Sequence, residues 1–96
     1  MLNPKQRAFL RKMAQTMSPI FQIGKNGLSE NQIEQIQNAL EARELIKITL
    51  LNTIPEEKHS IAEDLADATG ADIVHLIGNK LTLYKQSTKK PVIELP

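Results

Sequence analysis

Two glycines flank a lysine and an asparagine between Ile23 and Leu28, and this short segment is the one best suited to chemistry: Gly24, Lys25, Asn26 and Gly27. Glycine has no Cβ, so it tolerates a positive φ and lets another backbone approach closely. A helix-start signal follows at Ser29, and the free N–H groups of a helix N-terminus attract phosphate. The pattern therefore predicts that residues 24–27, the glycine turn, clamp a nucleic-acid backbone. A plain strand-to-helix turn is the alternative.

Basic residues are concentrated around this turn. Residues 1–28 contain five basic residues and no acid, residues 29–72 contain three basic residues and ten acids, and residues 73–96 contain four basic residues and one acid. A local positive field of this kind attracts polyanions even though the net charge is only +1. We therefore expect phosphate contacts from the first helix, with Lys47 or Lys85 as further candidates; a solvated helix face would show the same composition. The residues predicted on that helix are Lys5, Arg7, Arg11 and Lys12.

The remaining side chains offer little catalytic chemistry. The chain has no cysteine, which excludes disulfides, thiolate catalysis and sulfur-rich zinc sites. His59 and His75 are isolated in the sequence, and we expect a surface residue and a packed or edge residue rather than metal ligands. The glycine turn lacks the Gly-Lys-Ser/Thr ending of a nucleotide-binding P-loop. The sequence therefore predicts no catalytic residue, no metal and no cofactor, and hence no enzyme.

Aromatic residues are also scarce. We expect Phe9 and Phe21 in the core and Tyr84 packed on a strand. This argues against a surface that reads single-stranded bases by stacking, and favours recognition of backbone and shape. No apolar run approaches the roughly 20 residues of a membrane span, and the first residues lack the apolar region of a signal peptide. A cytoplasmic location is the simplest expectation.

Apolar spacing and capping residues predict the elements that position these side chains. Asn3-Pro4 begins a basic amphipathic helix, which ends before Pro19. Ser29 and Gln32 form a capping box for a second helix, and Gly70 is placed to end a third. Alternation or short apolar runs predict four strands. The predicted helices begin near residues 4, 30 and 57, and the strands are Ile20–Ile23, Leu45–Leu51, Ile73–Ile77 and Leu81–Tyr84.

The order α-β-α-β-α-β-β predicts an α/β (α+β) two-layer sandwich with one four-stranded mixed sheet. Right-handed crossovers that step in one direction would place both crossover helices on the same face, leaving the other face at least partly wet. We expect a single domain over residues 1–86. Residues 87–96 contain two prolines and are expected to form an extended, partly mobile tail. Its Lys89 and Lys90 could add phosphate contacts, although an unengaged end is the stronger expectation.

Several of these features together resemble the CRM domain, the chloroplast RNA splicing and ribosome maturation family, and above all its small stand-alone bacterial members. Each feature is weak alone, but their joint order is specific and covers nearly the whole chain. They are the basic first helix, Pro19, Ile23–Leu28, Glu44–Lys47, Ala62–Leu65, Thr69–Ala71, Ile77-Gly78 and Leu83–Lys85.

The resemblance implies a fold similar to the C-terminal domain of translation initiation factor 3, with strand order 1-2-4-3 and the last strand antiparallel. It also implies binding to structured RNA through the glycine turn and, for bacterial members, association with precursors of the large ribosomal subunit. The function expected is thus binding of structured ribosomal RNA in assembly of that subunit, by a monomer that needs no membrane and no small-molecule substrate. The alternatives are a translation or RNA-processing factor on mature ribosomes or other RNA, and a protein–protein adaptor that uses the acidic helices.

Overall fold

Three helices and four strands follow one another in the predicted order. The structure is a computed structural model that describes residues 2–24, 28–51 and 55–96, with only the backbone at residues 55 and 56. None of the helices in these ranges is long and apolar enough to cross a bilayer. The elements are α1 (Pro4–Ala14), β1 (Phe21–Ile23), α2 (Glu30–Arg43), β2 (Leu45–Leu50), α3 (Pro55–Thr69), β3 (Asp72–Ile77) and β4 (Lys80–Tyr84).

The four strands form one mixed sheet in the order β1-β2-β4-β3. β1 pairs parallel with β2, whereas β4 lies between β2 and β3 and is antiparallel to both. This confirms the mixed sheet and the strand order that the family resemblance implied. The carboxyl ends of β1, β2 and β3 therefore meet at one end of the sheet, together with the start of β4.

Side-chain caps fix the starts of α1 and α2. The Asn3 side chain accepts a hydrogen bond from the backbone N–H of Gln6 at 2.8 Å, and the Gln6 side chain accepts one from the N–H of Asn3 at 3.1 Å. Ser29 and Gln32 form the same reciprocal pair at 3.1 and 3.2 Å. Each cap stabilises its helix by about 1 kcal/mol. The second cap sets where the chain enters α2 after the glycine turn.

One face of the sheet carries the larger core. The inward residues of β2 alternate as expected, with Ile46, Ile48 and Leu50 buried against Leu40 of α2 and Leu65 of α3. Both crossover helices thus lie on the same face, as predicted.

The helix α1 partly covers the other face. Leu10 and Ala14 of α1 pack against Leu45, Val74 and Tyr84, which lie near the start of β2, in β3 and at the end of β4. The predicted two layers are present, and α1 adds a cover to one half of the second face; the sequence had not indicated where this helix would lie. The other half of that face, toward the carboxyl ends of β1 and β2, is not covered by a helix of the described chain.

The aromatic residues divide between core and surface. Tyr84 is only 5% exposed and packs beneath α1, as expected, and Phe21 is half-buried against the larger core. The expectation for Phe9 was wrong, because its side chain is 39% exposed. The reason is angular: Leu10 points from α1 to the sheet, and a residue one position earlier is rotated by about 100° away from that direction.

The C-terminal segment packs on the domain. It contains no helix or strand, but Ile93 and Leu95 pack against the smaller core that includes Leu2. The Glu44 carboxylate, 1% exposed, accepts hydrogen bonds at 2.8 Å from the backbone N–H groups of Ser87, Val92 and Ile93. The carboxylate therefore accepts the backbone N–H groups that a neighbouring strand would otherwise pair with in this segment.

Candidate nucleic-acid interface

The glycine turn begins at the end of the sheet. The backbone N–H of Leu51 donates to the carbonyl of Ile23 at 2.7 Å, so β1 and β2 are still paired where the turn starts. Gly24 is half-buried and has no described neighbour within 4 Å of the place where a Cβ would stand. Its φ is also outside the left-handed region. Neither crowding nor backbone conformation within the described chain therefore requires glycine at this position.

The rest of the predicted clamp lies outside the described residues. Lys25, Asn26 and Gly27 belong to this part, and their role remains a prediction from the sequence. The structure does fix both sides of the turn, with Ile23 at the end of β1 and Ser29 capping α2.

The four basic residues predicted on α1 are all exposed, but they do not form one patch. Lys5 and Lys12 are seven positions apart and therefore share the outward side of the helix. Arg7 and Arg11 share one flank, four positions apart. Arg7 lines a shallow depression together with three carboxylate residues, Glu63, Asp67 and Asp72, whereas Arg11 lies near His75 of β3. The helix thus has one arginine that faces acids and one that faces the open part of the sheet.

The uncovered half of the second face carries polar and basic side chains, with the exposed Ile77 at the β3 edge. Strand pairing places Lys47, Thr82 and His75 side by side in one row across β2, β4 and β3. The next row, toward Gly24, contains Gln22, Thr49, Lys80 and Ile77. Among the described strand residues of these two rows there is no carboxylate. This surface, the open sheet face, therefore connects the basic helix with the end of the sheet where the glycine turn begins.

Two lysines of the open sheet face are held by hydrogen bonds. The Lys47 ammonium donates to the carbonyl of Met17 at 3.1 Å, which ties the segment after α1 to β2. The Lys80 ammonium donates to the hydroxyl of Thr49 at 3.0 Å. An ammonium group has three N–H donors, so each lysine keeps donors for a ligand.

A bulge in β3 brings His75 to this surface. Ile73 pairs with Leu83 and His75 pairs with Thr82, so Val74 is the extra residue. Val74 packs beneath α1, and His75 lies on the same side of the sheet. Burial lowers the pKa of His75, and the positive charges of Arg11 and Lys47 lower it further. The imidazole is therefore neutral near pH 7.

Sequence reasoning missed Lys80, Thr82 and His75 as parts of a candidate site. Lys80 falls between the predicted strands Ile73–Ile77 and Leu81–Tyr84, and the bulge cannot be read from the alternation of β3. The candidate Lys85 has a different role, because its ammonium donates to the carbonyl of Thr69 at 3.2 Å beside the C-terminal end of α3. It lies at the end of the sheet away from Gly24.

Comparisons with known proteins agree with this architecture. The probable RNA-binding protein YqeI of Bacillus subtilis is 48% identical over the full length of both chains. A protein of Haemophilus influenzae named RNA-binding protein is 37% identical over 99% of this chain and 95% of its own length. The solution structure of the hypothetical protein SAV1595 from Staphylococcus aureus superposes with a TM-score of 0.86, with 45% identity and full coverage of both chains.

The family assignment rests on nearly the whole chain. The CRS1/YhbY (CRM) domain matches residues 2–85, which include all three helices and all four strands of the structure. Identity above 30% extends over complete or nearly complete bacterial relatives. The chain belongs to the CRS1/YhbY (CRM) domain family.

Proposed function

We propose that this protein is a non-enzymatic RNA-binding module that holds structured ribosomal RNA during assembly of the large ribosomal subunit. The observation that carries the proposal is the set of basic side chains, Arg11 of α1 with Lys47 and Lys80, on the sheet face that leads to Gly24. The names of the Bacillus subtilis and Haemophilus influenzae relatives support RNA as the partner. The ribosomal target and the step in assembly come from the family resemblance alone.

The surface favours contacts with the sugar–phosphate backbone. Lysine and arginine side chains neutralise phosphates, and a turn without side chains at its start lets the backbone come close. Tyr84 is buried and Phe21 is half-buried, so Phe9 is the one well-exposed aromatic residue of the described chain. We therefore propose recognition by shape and backbone, with at most one stacked base, by a cytoplasmic monomer.

Substitution of Gly24 tests the surface without disturbing the fold. Gly24→Asp adds a negative charge where no described atom would clash, and we expect binding to protein-free bacterial large-subunit ribosomal RNA to weaken about tenfold or more. Gly24→Ala is the matched control for the added Cβ and should have a smaller effect. Affinities are measured by filter binding and folding by circular dichroism. Equal affinities of a folded Gly24→Asp variant and the wild type would remove Gly24 from the interface.

The role in assembly is tested by fractionation of a lysate on a sucrose gradient. We expect the protein to sediment with large-subunit precursors and to leave those fractions after ribonuclease treatment. Sedimentation with mature ribosomes would instead indicate a translation factor. Sedimentation that ribonuclease does not change, away from ribosomal particles, would indicate a protein–protein adaptor that uses the acidic face of α3.

A further inference from the structure

Two buried polar atoms without partners belong to paired residues of the open sheet face. The hydroxyl oxygen of Thr82 and Nδ1 of His75 are both buried, and neither has a hydrogen-bond partner in the part of the chain that the structure describes. Thr82 is fully buried and is paired directly with His75 on one side and Lys47 on the other. An unpaired buried polar group is destabilising, so an arrangement with two of them calls for an explanation.

The charged side chains near the row of Lys47, Thr82 and His75 are cationic. Arg11 from α1 and Lys47 from β2 both lie close enough to His75 to oppose its protonation, and β4 contributes only the neutral Thr82. Lys80 follows in the next row, about 7 Å further along the strand. The described strand residues of this half of the face include no carboxylate. The site therefore holds several cations and a neutral imidazole that no acidic side chain on these strands balances.

The burial of Nδ1 also limits how the imidazole can act. A neutral imidazole carries one N–H, on either Nδ1 or Nε2. Since Nδ1 is buried and has no partner among the described residues, an N–H that a ligand can reach is the one on Nε2. The ring is half-buried, so its remaining exposure is on its other atoms. This places a neutral N–H donor between two cationic side chains.

We propose that one phosphate of the RNA backbone binds on the open sheet face against Arg11, Lys47 and His75, as a contact separate from the glycine turn. The inference rests on the proposed function and adds a second binding site for the backbone of the same RNA. The phosphate oxygens accept hydrogen bonds from the guanidinium, the ammonium and Nε2–H. Its single negative charge offsets part of the positive charge of Arg11 and Lys47 and favours protonation of His75, so binding of RNA is linked to uptake of a proton at this residue.

The variant His75→Phe tests this phosphate site, and His59→Phe is its matched control because His59 is exposed on α3. Phenylalanine keeps the size of the ring but removes its N–H. We expect His75→Phe to bind protein-free bacterial large-subunit ribosomal RNA about three- to tenfold more weakly, whereas His59→Phe stays within twofold of the wild type. Thermal unfolding of both variants verifies that they fold. Unchanged affinity of folded His75→Phe would overturn the proposal.

Nuclear magnetic resonance of the unmodified protein gives a second measurement that does not depend on any variant. Addition of the RNA should raise the pKa of His75 and move its ring signals saturably, whereas the ring signals of His59 should move much less. Ring signals of His75 that do not move at saturating RNA would overturn the phosphate site while leaving the proposed function intact. A wild type that fails to bind the RNA would overturn both. A response of His75 to polyglutamate but not to RNA would also overturn the phosphate site, and would indicate an acidic protein as the partner of this surface.

Discussion

Arg7 and Arg11 are one helical turn apart, yet their surroundings predict different roles. Arg7 lines a depression with Glu63, Asp67 and Asp72, whose negative charges weaken the local positive potential, whereas Arg11 lies near His75. We expect Arg11→Ala to weaken RNA binding about five- to tenfold and to make the slope of log K against log [salt] about 0.7 less steep. Arg7→Ala should change both quantities much less. Filter binding at several salt concentrations measures them.

The two arginines form their own control, because both substitutions remove the same side chain from the same flank of α1. Both residues are exposed, so neither variant should change the unfolding temperature much. A result in which Arg7→Ala weakens binding as much as Arg11→Ala would show that the RNA extends over the acidic side of the helix, contrary to the interface proposed here.

Glu44 is the residue whose loss should be most costly to the fold. It is buried, has a φ of 66°, and its carboxylate accepts three backbone N–H groups of the C-terminal segment. Glu44→Gln keeps the shape but removes the charge and turns an amide NH₂ toward N–H donors. We expect a loss of about 2 kcal/mol in the free energy of unfolding, or about 8–16 °C in the unfolding temperature.

Glu34→Gln on the exposed side of α2 is the matched control for this change. It should leave the unfolding temperature within about 2 °C, because exposed substitutions without partners rarely matter. If Glu44→Gln were equally harmless in calorimetry, the three hydrogen bonds would not hold the C-terminal segment in solution.

The C-terminal segment as a whole should be released by acid. Hydrogen bonds from Ser87 and Thr88 lower the pKa of Glu41 from 4.5 to about 2. The pKa of Glu44 is also lowered: burial opposes this, but the N–H groups of Ile93, Ser87 and Val92 outweigh it. Carboxylates with lowered pKa values stabilise the folded state fully above their unfolded pKa, and this stabilisation is lost as the pH falls through the folded value.

The resulting expectation is detachment of residues 87–96 as the pH falls from about 4.5 toward 2. The amide signals of Ser87 and Ile93 should then move to positions typical of an unstructured chain, whereas those of β2 and β4 change later or not at all. Amide signals that keep their folded positions down to pH 2 would show that apolar packing of Ile93 and Leu95 holds the segment without the carboxylates.

The elements that the sequence predicted are those with local signals. The caps at Asn3 and Ser29 and the glycine at position 70 mark helix ends within a few residues, and the alternation in β2 marks a strand with one buried face. The strand order came from the family resemblance. The bulge at Val74 was not predictable, because β3 is a mostly apolar run without strict alternation, and such a run does not reveal an extra residue.

The same division applies to the candidate interface. The basic residues of α1 were predicted from composition and their exposure is confirmed, but their separation into an acid-facing Arg7 and a sheet-facing Arg11 depends on how α1 packs. The hydrogen bonds of Glu44 join it to residues more than 40 positions away, and Glu44 itself has a left-handed backbone although it is not glycine. Neither feature has a local signature, because each arises from contacts between distant segments.

The distribution of charge over the whole molecule gives RNA one preferred side. The open sheet face leads from α1 to the start of the glycine turn, whereas α3, with its exposed acids, packs on the opposite face of the sheet; Glu63 and Asp67 lie at the edge, in the depression that Arg7 also lines. A polyanion is attracted to the first side and repelled from the second, so the near-zero net charge does not prevent oriented binding.

This distribution predicts a definite salt dependence. Lys5, Arg11, Lys12, Lys47 and Lys80, with Lys25 of the turn, can neutralise five or six phosphates, and each phosphate on a single strand contributes about −0.7 to the slope of log K against log [salt]. We therefore expect a slope of about −4, which corresponds to a loss of affinity of more than a hundredfold between about 50 and 200 mM salt. Filter binding over this range measures it, with the RNA, pH and temperature held constant. A slope close to zero would contradict binding through phosphates, and a slope steeper than about −6 would require more cations than this side of the molecule carries, such as those of a second copy of the chain.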